Sequence, residues 1–121
     1  MRGLGIRAAL FIDADPVVPP QARDAGADRV ELYTGPYGAS APGPAAEAHL
    51  QSLSLTAKAA LGAGLEVNAG HDLTAENLPA FLAAVSGVAE VSIGHGLTSD
   101  ALMVGYAEAV RLYKAVLANR P

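Results

Sequence analysis

The chain has 121 residues, of which 51% are hydrophobic, and it carries a formal net charge of −4 with no cysteine. This length predicts a single domain, 1–121, with enough apolar residues for a buried core. The negative charge argues against general nucleic-acid binding, which needs clustered lysine and arginine. The absence of cysteine excludes disulfides, thiolate nucleophiles and thiolate metal sites.

Nothing in the sequence directs the chain to export or to a membrane. The first residues contain one basic residue, Arg2, and lack the apolar core and cleavage site of a signal peptide. No apolar run approaches the roughly 20 residues that span a bilayer. We therefore expect a cytoplasmic protein, and the absence of cysteine is in keeping with a reducing compartment.

Four short apolar runs, each followed by a helix-like stretch, predict the order β-α-β-α-β-α-β-α. The predicted strands are about 8–12, 29–33, 65–69 and 88–93, and the predicted helices are about 16–25, 45–62, 75–85 and 100–118. In the first helix we expect Asp15 as N-cap, Pro16 at the first helical position and Gly26 just beyond the end.

One connection and two of the helices carry further signals. The longest connection, 34–44, is rich in glycine and proline, and a loop of that length is more often functional than idle. Apolar residues at helical spacing predict two faces that pack on the core. They are Leu50, Leu53, Ala57, Ala60 and Leu61 in the second helix, and Leu102, Met103, Tyr106, Val110, Tyr113 and Leu117 in the last helix.

Strands that alternate with helices predict a parallel sheet with right-handed crossovers. Barrels and doubly wound sheets share this pattern. Four units are half of an eight-unit barrel, so we predict an α/β fold, the parallel (βα)4 half of a TIM-type (β/α)8 barrel. A small flavodoxin-like sheet is the alternative if the chain is complete.

The predicted strands end in polar residues, and the carboxyl ends of parallel strands are where active sites form. Asp13 follows the first strand, but helix capping accounts for part of the acidic pair that it forms with Asp15. His71 and His95 each follow a glycine, Gly70 and Gly94, and each precedes a helix start. A histidine there can bind phosphate or transfer protons, so two of them predict a site.

Strand alternation adds one residue that is not at a strand end. In the second strand Val30 and Leu32 point to one face, and Glu31 and Tyr33 point to the other. A carboxylate aimed at a barrel interior is costly unless it is paired or used. Glu31 is thus a functional candidate, with a structural ion pair or solvent exposure as the alternatives, whereas Glu66 lies early in its strand and is interpreted as structural.

The sequence gives no sign of a metal site or of a bound cofactor. Histidines and aspartates are present, but no ligand pair has the helical i, i+4 spacing of a metal motif. There is no P-loop, no complete dinucleotide glycine pattern and no Ser-His-Asp motif. We therefore predict no metal and no cofactor.

Four segments together resemble the C-terminal half of the pyridoxine 5′-phosphate synthase family, in the family's order and at compatible spacing. They are 10–15, 30–35, 67–73 and 92–95. The resemblance covers essentially the whole chain. It implies a (β/α)8 barrel that assembles as an octamer and condenses 1-deoxy-D-xylulose 5-phosphate with 3-amino-2-oxopropyl phosphate, giving pyridoxine 5′-phosphate, phosphate and water.

The resemblance also implies roles for the candidate residues. His71 would be a proton donor, and Glu31 would stabilise a transition state from the barrel interior. Gly70, Asp72, Gly94 and His95 would form the surroundings of a substrate phosphate. Because some family members have glycine in place of Asp72, its backbone N–H is the expected contact.

The resemblance further implies that an N-terminal half, with additional catalytic residues, is needed. Two functions remain open at this point. The chain is either part of the synthase, inactive by itself, or a half-barrel module that binds phosphate or assembles without catalysis. In both cases we expect it to associate with a missing N-terminal half-barrel or with itself, and we expect no nucleic-acid or membrane partner.

Overall fold

The computed structural model describes residues 8–118, except for the side chains of His95, Ser99 and Asp100. Four strands and six helices occur in these residues. The strands are β1 (Ala9–Ile12), β2 (Arg29–Tyr33), β3 (Glu66–Gly70) and β4 (Val88–Ser92). The helices are α1 (Val18–Asp24), α2 (Gly35–Gly38), α3 (Pro44–Gly62), α4 (Leu78–Ala84), α5 (His95–Val104) and α6 (Tyr106–Ala118).

The strands form one parallel sheet whose spatial order is the chain order, β1-β2-β3-β4. Right-handed crossovers between successive neighbours place every connecting helix on the same face of the sheet. This arrangement confirms the α/β prediction and is that of half a TIM-type barrel. A flavodoxin-like sheet reverses its strand order at a switch point, and this sheet does not, so that alternative is wrong.

Strand alternation separates a covered face from an open one. Val30, Leu32 and Val67 are fully buried under the helices, as predicted for the second strand. The intervening residues point to the uncovered face, where Phe11 is paired in register with Glu31 and is 55% exposed. In a closed barrel this uncovered face would line the interior.

Arg29 joins three strands at the amino end of the open face. Its guanidinium donates a hydrogen bond to Glu66 on β3 and lies 3.3 Å from the carboxylate of Glu90 on β4. The bond with Glu66 raises the pKa of the Arg29 side chain above its ordinary value, partial burial opposes the rise, and the Glu90 charge adds to it. Glu66 is therefore a structural residue, as the sequence indicated.

The start of α1 differs from the prediction. The helix begins at Val18, so Asp15 is not its N-cap and Pro16 lies outside it; Pro19 occupies the second helical position. The Asp15 carboxylate instead accepts the N–H of Val17 at 3.0 Å, an Asx turn that competes with helix formation at this position. Gly26 does follow the helix end, with φ 100°, as predicted.

The glycine-rich connection contains a helical turn that the sequence did not predict. The turn, α2, follows Thr34 directly, and Tyr37 within it is buried. The next helix, α3, confirms the prediction of 45–62 almost to the residue, and its predicted face is buried except for Leu61, which is 43% exposed. The unpredicted turn α2 forms because the Tyr37 ring packs on Phe81 and holds the turn against the core.

The helix after β3 starts three residues later than expected. Thr74 and Asn77 exchange hydrogen bonds, since the Thr74 N–H donates to Asn77 Oδ1 at 2.8 Å and the Asn77 N–H donates to Thr74 Oγ1 at 3.2 Å. This reciprocal pair occupies the turn before α4, so α4 begins at Leu78. Pro79 then stands at the second helical position, where its missing N–H costs nothing.

The predicted helix 100–118 is wrong in its start and in its continuity. The structure has α5 from His95 and α6 from Tyr106, separated by Gly105 at φ 86°. The predicted stripe is also wrong in most positions, because Leu102 and Met103 are 82% and 85% exposed, whereas Tyr113 is buried. Glycine is a poor helix former, and Leu102 and Met103, just before the break, lie on the exposed side of α5.

None of the helices in residues 8–118 is both long enough and apolar enough to cross a membrane.

Candidate functional site

An open cleft of about 560 Å³ lies at the carboxyl ends of β2, β3 and β4. Its walls come from the end of each strand and from the residue or two that follow. The lining residues are Glu31, Tyr33, His71, Asp72, Ser92, Ile93 and Gly94. The structure thus brings together the two residues predicted as catalytic, Glu31 and His71, with Asp72 and Gly94, which were predicted to bind substrate.

Glu31 extends from the open face of the sheet across Gly70. Its Oε2 atom lies 3.0 Å from the position that a Cβ atom would have on Gly70, and the Ser92 Cβ lies 3.3 Å from the same point. A side chain at Gly70 would therefore displace the carboxylate. Gly70 is buried as the last residue of β3, paired with Ser92, and so lies inside the strand that was expected to end before it. Among residues 8–118 no ion-pair partner of Glu31 is present.

His71 and Asp72 form a turn with unusual backbone geometry. Their φ angles are 92° and 55°, a region that residues other than glycine and asparagine rarely adopt. Both side chains are exposed at the cleft. The turn directs the chain out of β3 and back towards α4, so its conformation determines where the His71 imidazole and the Asp72 N–H lie.

Thr34 and Asn77 contact this turn, and neither was proposed as a site residue. The Thr34 hydroxyl lies 2.7 Å from the Gly70 carbonyl oxygen and 2.6 Å from the His71 carbonyl oxygen. Asn77 Nδ2 donates to the Asp72 carbonyl oxygen at 3.0 Å. Only the position of Thr34 at a strand end was visible in the sequence, since its partners lie 36 and 37 residues further along.

Three rings pack together at one wall of the cleft. The His71 ring meets Tyr33 edge to face at a centroid distance of 5.2 Å and meets Phe11 at 5.7 Å. Phe11 and Tyr33 are themselves 5.3 Å apart. Such edge-to-face contacts restrict the orientation of the imidazole. Phe11 was not predicted as part of the site.

The fourth strand end supplies the start of a helix. Gly94 is the N-cap of α5, and His95 is its first residue. The first turn of α5 packs close to the loop after β3, because a Cβ atom on Gly96 would stand 2.7 Å from the Leu73 carbonyl oxygen. Unpaired backbone N–H groups at such a start attract anions. The predicted role of the His95 side chain lies outside the described residues.

Asp13 and Asp15 do not line the cleft. Asp15 forms the turn before α1, as described above, which favours the structural interpretation of this residue. Within the described chain, no group of three or more histidine, aspartate or glutamate side chains is arranged to hold a metal ion.

The loop after β3 is also fixed by a buried tyrosine. The Tyr37 hydroxyl donates to the Asn77 carbonyl oxygen at 2.6 Å, and the side chain is 5% exposed. Burial raises the pKa of Tyr37 above the ordinary value of 10.0, and the Glu47 charge acts in the same direction. The neutral phenol is therefore the form that the fold stabilises.

We expect Tyr37→Phe to lower the free energy of unfolding at pH 7 by about 0.5–1.5 kcal/mol, the value of one hydrogen bond. Because the folded pKa is raised, the tyrosine contributes its full stability below about pH 10 and loses it as the pH rises further. The advantage of the unmodified chain over the variant should shrink above that pH in urea titrations. Tyr106→Phe, at an exposed position, is the control, and an equal pH dependence there would contradict this account.

A parallel sheet in chain order, with polar residues gathered at the carboxyl ends of its strands, defines a barrel-type α/β protein. The sequence model of the family described as "Pyridoxal phosphate biosynthesis protein PdxJ" matches residues 1–119. The chain therefore belongs to this family, and the resemblance noted from its sequence is confirmed.

Curated relatives agree with this assignment. A protein named pyridoxine 5′-phosphate synthase from Brucella abortus (strain S19) is 54% identical over 120 residues, which are 98% of this chain and 49% of the relative. A protein of the same name from Mesorhizobium japonicum is 58% identical over 107 residues, 88% of this chain and 44% of the relative. The chain spans about half the length of the curated relatives it matches.

Proposed function

We propose that this chain supplies the C-terminal half of a pyridoxine 5′-phosphate synthase. The reaction would join 1-deoxy-D-xylulose 5-phosphate and 3-amino-2-oxopropyl phosphate, and it would release pyridoxine 5′-phosphate, inorganic phosphate and water. The observation that carries the proposal is the shared cleft of Glu31, His71, Asp72 and Gly94, in a chain that belongs to the PdxJ family.

His71 is proposed to donate a proton during ring closure. The condensation forms an imine, eliminates water and phosphate and closes a carbon–carbon bond, so it needs several proton transfers. Histidine is the side chain that most often transfers protons in enzyme sites. The position of His71 at the cleft wall, with its ring held by Tyr33 and Phe11, supports this role.

Glu31 is proposed to stabilise positive charge that develops on the reacting nitrogen. Imine chemistry passes through cationic species, and a fixed carboxylate lowers their energy when water is excluded. The position of Glu31 across Gly70, without an ion-pair partner in the described part of the chain, leaves its charge available to a substrate.

The phosphate of the amino ketone is proposed to lie between the turn after β3 and the start of α5. The Asp72 N–H and the backbone around Gly94 and His95 would donate to its oxygens. The close packing of Gly96 on Leu73 supports this placement, because it brings the two backbone segments together. No phosphate-binding lysine or arginine is required, since helix starts bind anions through N–H groups.

The isolated chain is proposed to be inactive. A four-stranded sheet cannot close into a barrel, and within residues 8–118 most residues of both edge strands, β1 and β4, are not buried. The missing half would cover Phe11 and the polar residues beside it and would add the remaining catalytic groups. The full barrel would assemble as an octamer, as the family resemblance implies, and would be cytoplasmic, as expected from the sequence.

The experiment combines this chain with the part of the Brucella abortus relative that it does not match, made as a separate polypeptide. Both substrates are added, and pyridoxine 5′-phosphate is measured by chromatography and fluorescence. We expect product only when both polypeptides are present. Turnover by this chain alone would contradict the inactivity, and association without turnover would favour the non-catalytic phosphate-binding or assembly module.

We expect the chain to associate in solution, with itself or with the complementary half. Light scattering should show masses above that of one chain, whereas a stable soluble monomer over a wide concentration range would contradict the expectation. Phe11→Asp should weaken binding to the complementary half at least about tenfold, because it would bury a second carboxylate beside Glu31, its partner in register on β2. Leu55→Asp, at a 48% exposed position on α3, is the control and should bind normally.

A further inference from the structure

Thr34 connects the end of β2 to the turn after β3. Its side chain is fully buried, and its backbone N–H donates to the Gly70 carbonyl oxygen at 3.0 Å. Its hydroxyl reaches the carbonyl oxygens of both Gly70 and His71. A hydroxyl has one proton and donates to one of them at a time. With Asn77 on the Asp72 carbonyl, three successive carbonyl oxygens of the turn lie within hydrogen-bond distance of a side-chain donor.

These bonds determine where the N–H groups of the turn point. In a trans peptide the C=O and N–H groups point in opposite directions, and the described chain has no cis peptide bond. Because Thr34 holds the His71 carbonyl on the buried side, the Asp72 N–H points away from Thr34. This N–H meets no acceptor among residues 8–118. The same bonds hold His71 and Asp72 at positive φ, which their side chains disfavour.

We infer that Thr34 is a positioning residue: its hydroxyl holds the 70–72 backbone in the left-handed turn that presents the His71 imidazole and the Asp72 N–H to the cleft. The effect on catalysis rests on the proposed function, whereas the effect on the turn does not. Thr34 itself does not reach the cleft.

Thr56 provides a matched comparison for a purely structural role. It is also fully buried, and its hydroxyl donates to a backbone carbonyl, that of Ser52, at 2.7 Å. This bond lies within α3 and not at the cleft. Thr34→Val and Thr56→Val therefore each remove one buried hydroxyl and keep the shape of the side chain, but only the first removes contacts with the turn.

The test is nuclear magnetic resonance spectroscopy of the full chain and of Thr34→Val, Thr34→Ser and Thr56→Val. In Thr34→Val we expect the Asp72 amide signal to move and the Tyr33–His71 ring-to-ring Overhauser contacts to be lost. Thr34→Ser keeps the hydroxyl and should restore both. Unchanged signals in Thr34→Val, or equal changes in Thr56→Val, would overturn the inference.

If Thr34→Val does not fold, the contact between the Thr34 hydroxyl and the turn can still be tested in the unmodified chain. Its Thr34 hydroxyl proton should be protected from exchange with water and show Overhauser contacts to the backbone protons of residues 70–72. A rapidly exchanging hydroxyl would overturn the inference. With the complementary half, Thr34→Val should lower kcat about 100-fold with little change in KM, the effect of a misplaced catalytic group. If no assembly turns over, only the proposed function fails.

Discussion

Replacing His71 with asparagine should lower kcat of the assembled enzyme by about 10²- to 10⁴-fold, the range for loss of a general acid. Asparagine is the suitable substitution because it tolerates the positive φ of this position and cannot transfer protons near neutral pH. The side chain is exposed, so the free energy of unfolding should change little. Steady-state assays of pyridoxine 5′-phosphate formation, with the complementary half present, measure the effect.

His49→Asn is the control for His71. His49 lies on α3, outside the cleft, and its replacement should leave kcat within about threefold of the unmodified value. A His71→Asn enzyme as fast as this control would remove His71 from the mechanism.

Glu31→Gln keeps the shape of the side chain and removes its charge, so a loss of about 10²-fold in kcat is expected if electrostatic stabilisation is its role.

Gly38→Ala should destabilise the packing of α2 on the turn after β3. A Cβ atom on Gly38 would stand 2.4 Å from the Asp72 carbonyl oxygen and 2.5 Å from the Asp72 Cβ. Because one of these atoms belongs to the backbone, the turn after β3 must move. We expect a loss of about 1–3 kcal/mol in the free energy of unfolding, typical of overpacking, measured by urea titration.

The matched control is Gly62→Ala, at the last residue of α3. A Cβ atom there meets no heavy atom within 4 Å, and alanine suits a helix better than glycine. The control should be neutral or more stable by up to about 1 kcal/mol. The Asp72 amide signal should move in Gly38→Ala and stay in place in Gly62→Ala; the reverse pattern would contradict the packing of α2 on the turn.

The sequence predicted the features that depend on local periodicity. Alternation in the second strand placed Val30 and Leu32 in the core and Glu31 on the opposite face, and the structure agrees. The early position of Glu66 indicated a structural role, which its contact with Arg29 confirms. Such features follow from side-chain direction along a strand and need no knowledge of distant contacts.

The features that the sequence did not predict depend on long-range contacts or on competing local signals. The Thr34 hydroxyl meets residues 36 and 37 positions away, which no local pattern encodes. The apolar residues of 100–118 fit a helical stripe, but Gly105 divides the segment and leaves Leu102 and Met103 exposed. The positive φ angles of His71 and Asp72 oppose the preference of their residue types and arise from the bonds that hold the turn.

The exposed apolar residues at the junction of α5 and α6 can cause the chain to associate. Leu102, Met103 and Tyr106 are 82%, 85% and 63% exposed, and neighbouring apolar residues at a surface promote association. The mass of the assembled complex must therefore be measured together with its activity.

The most direct test of the half-barrel account is a titration at fixed concentration of this chain. The complementary half of the Brucella abortus relative is added stepwise, with both substrates present, and the initial rate of pyridoxine 5′-phosphate formation is recorded. We expect no rate without the complement and a linear rise that ends at one equivalent, because one half completes one barrel. A measurable rate before any addition, or no rate at any ratio despite formation of the complex, would contradict it.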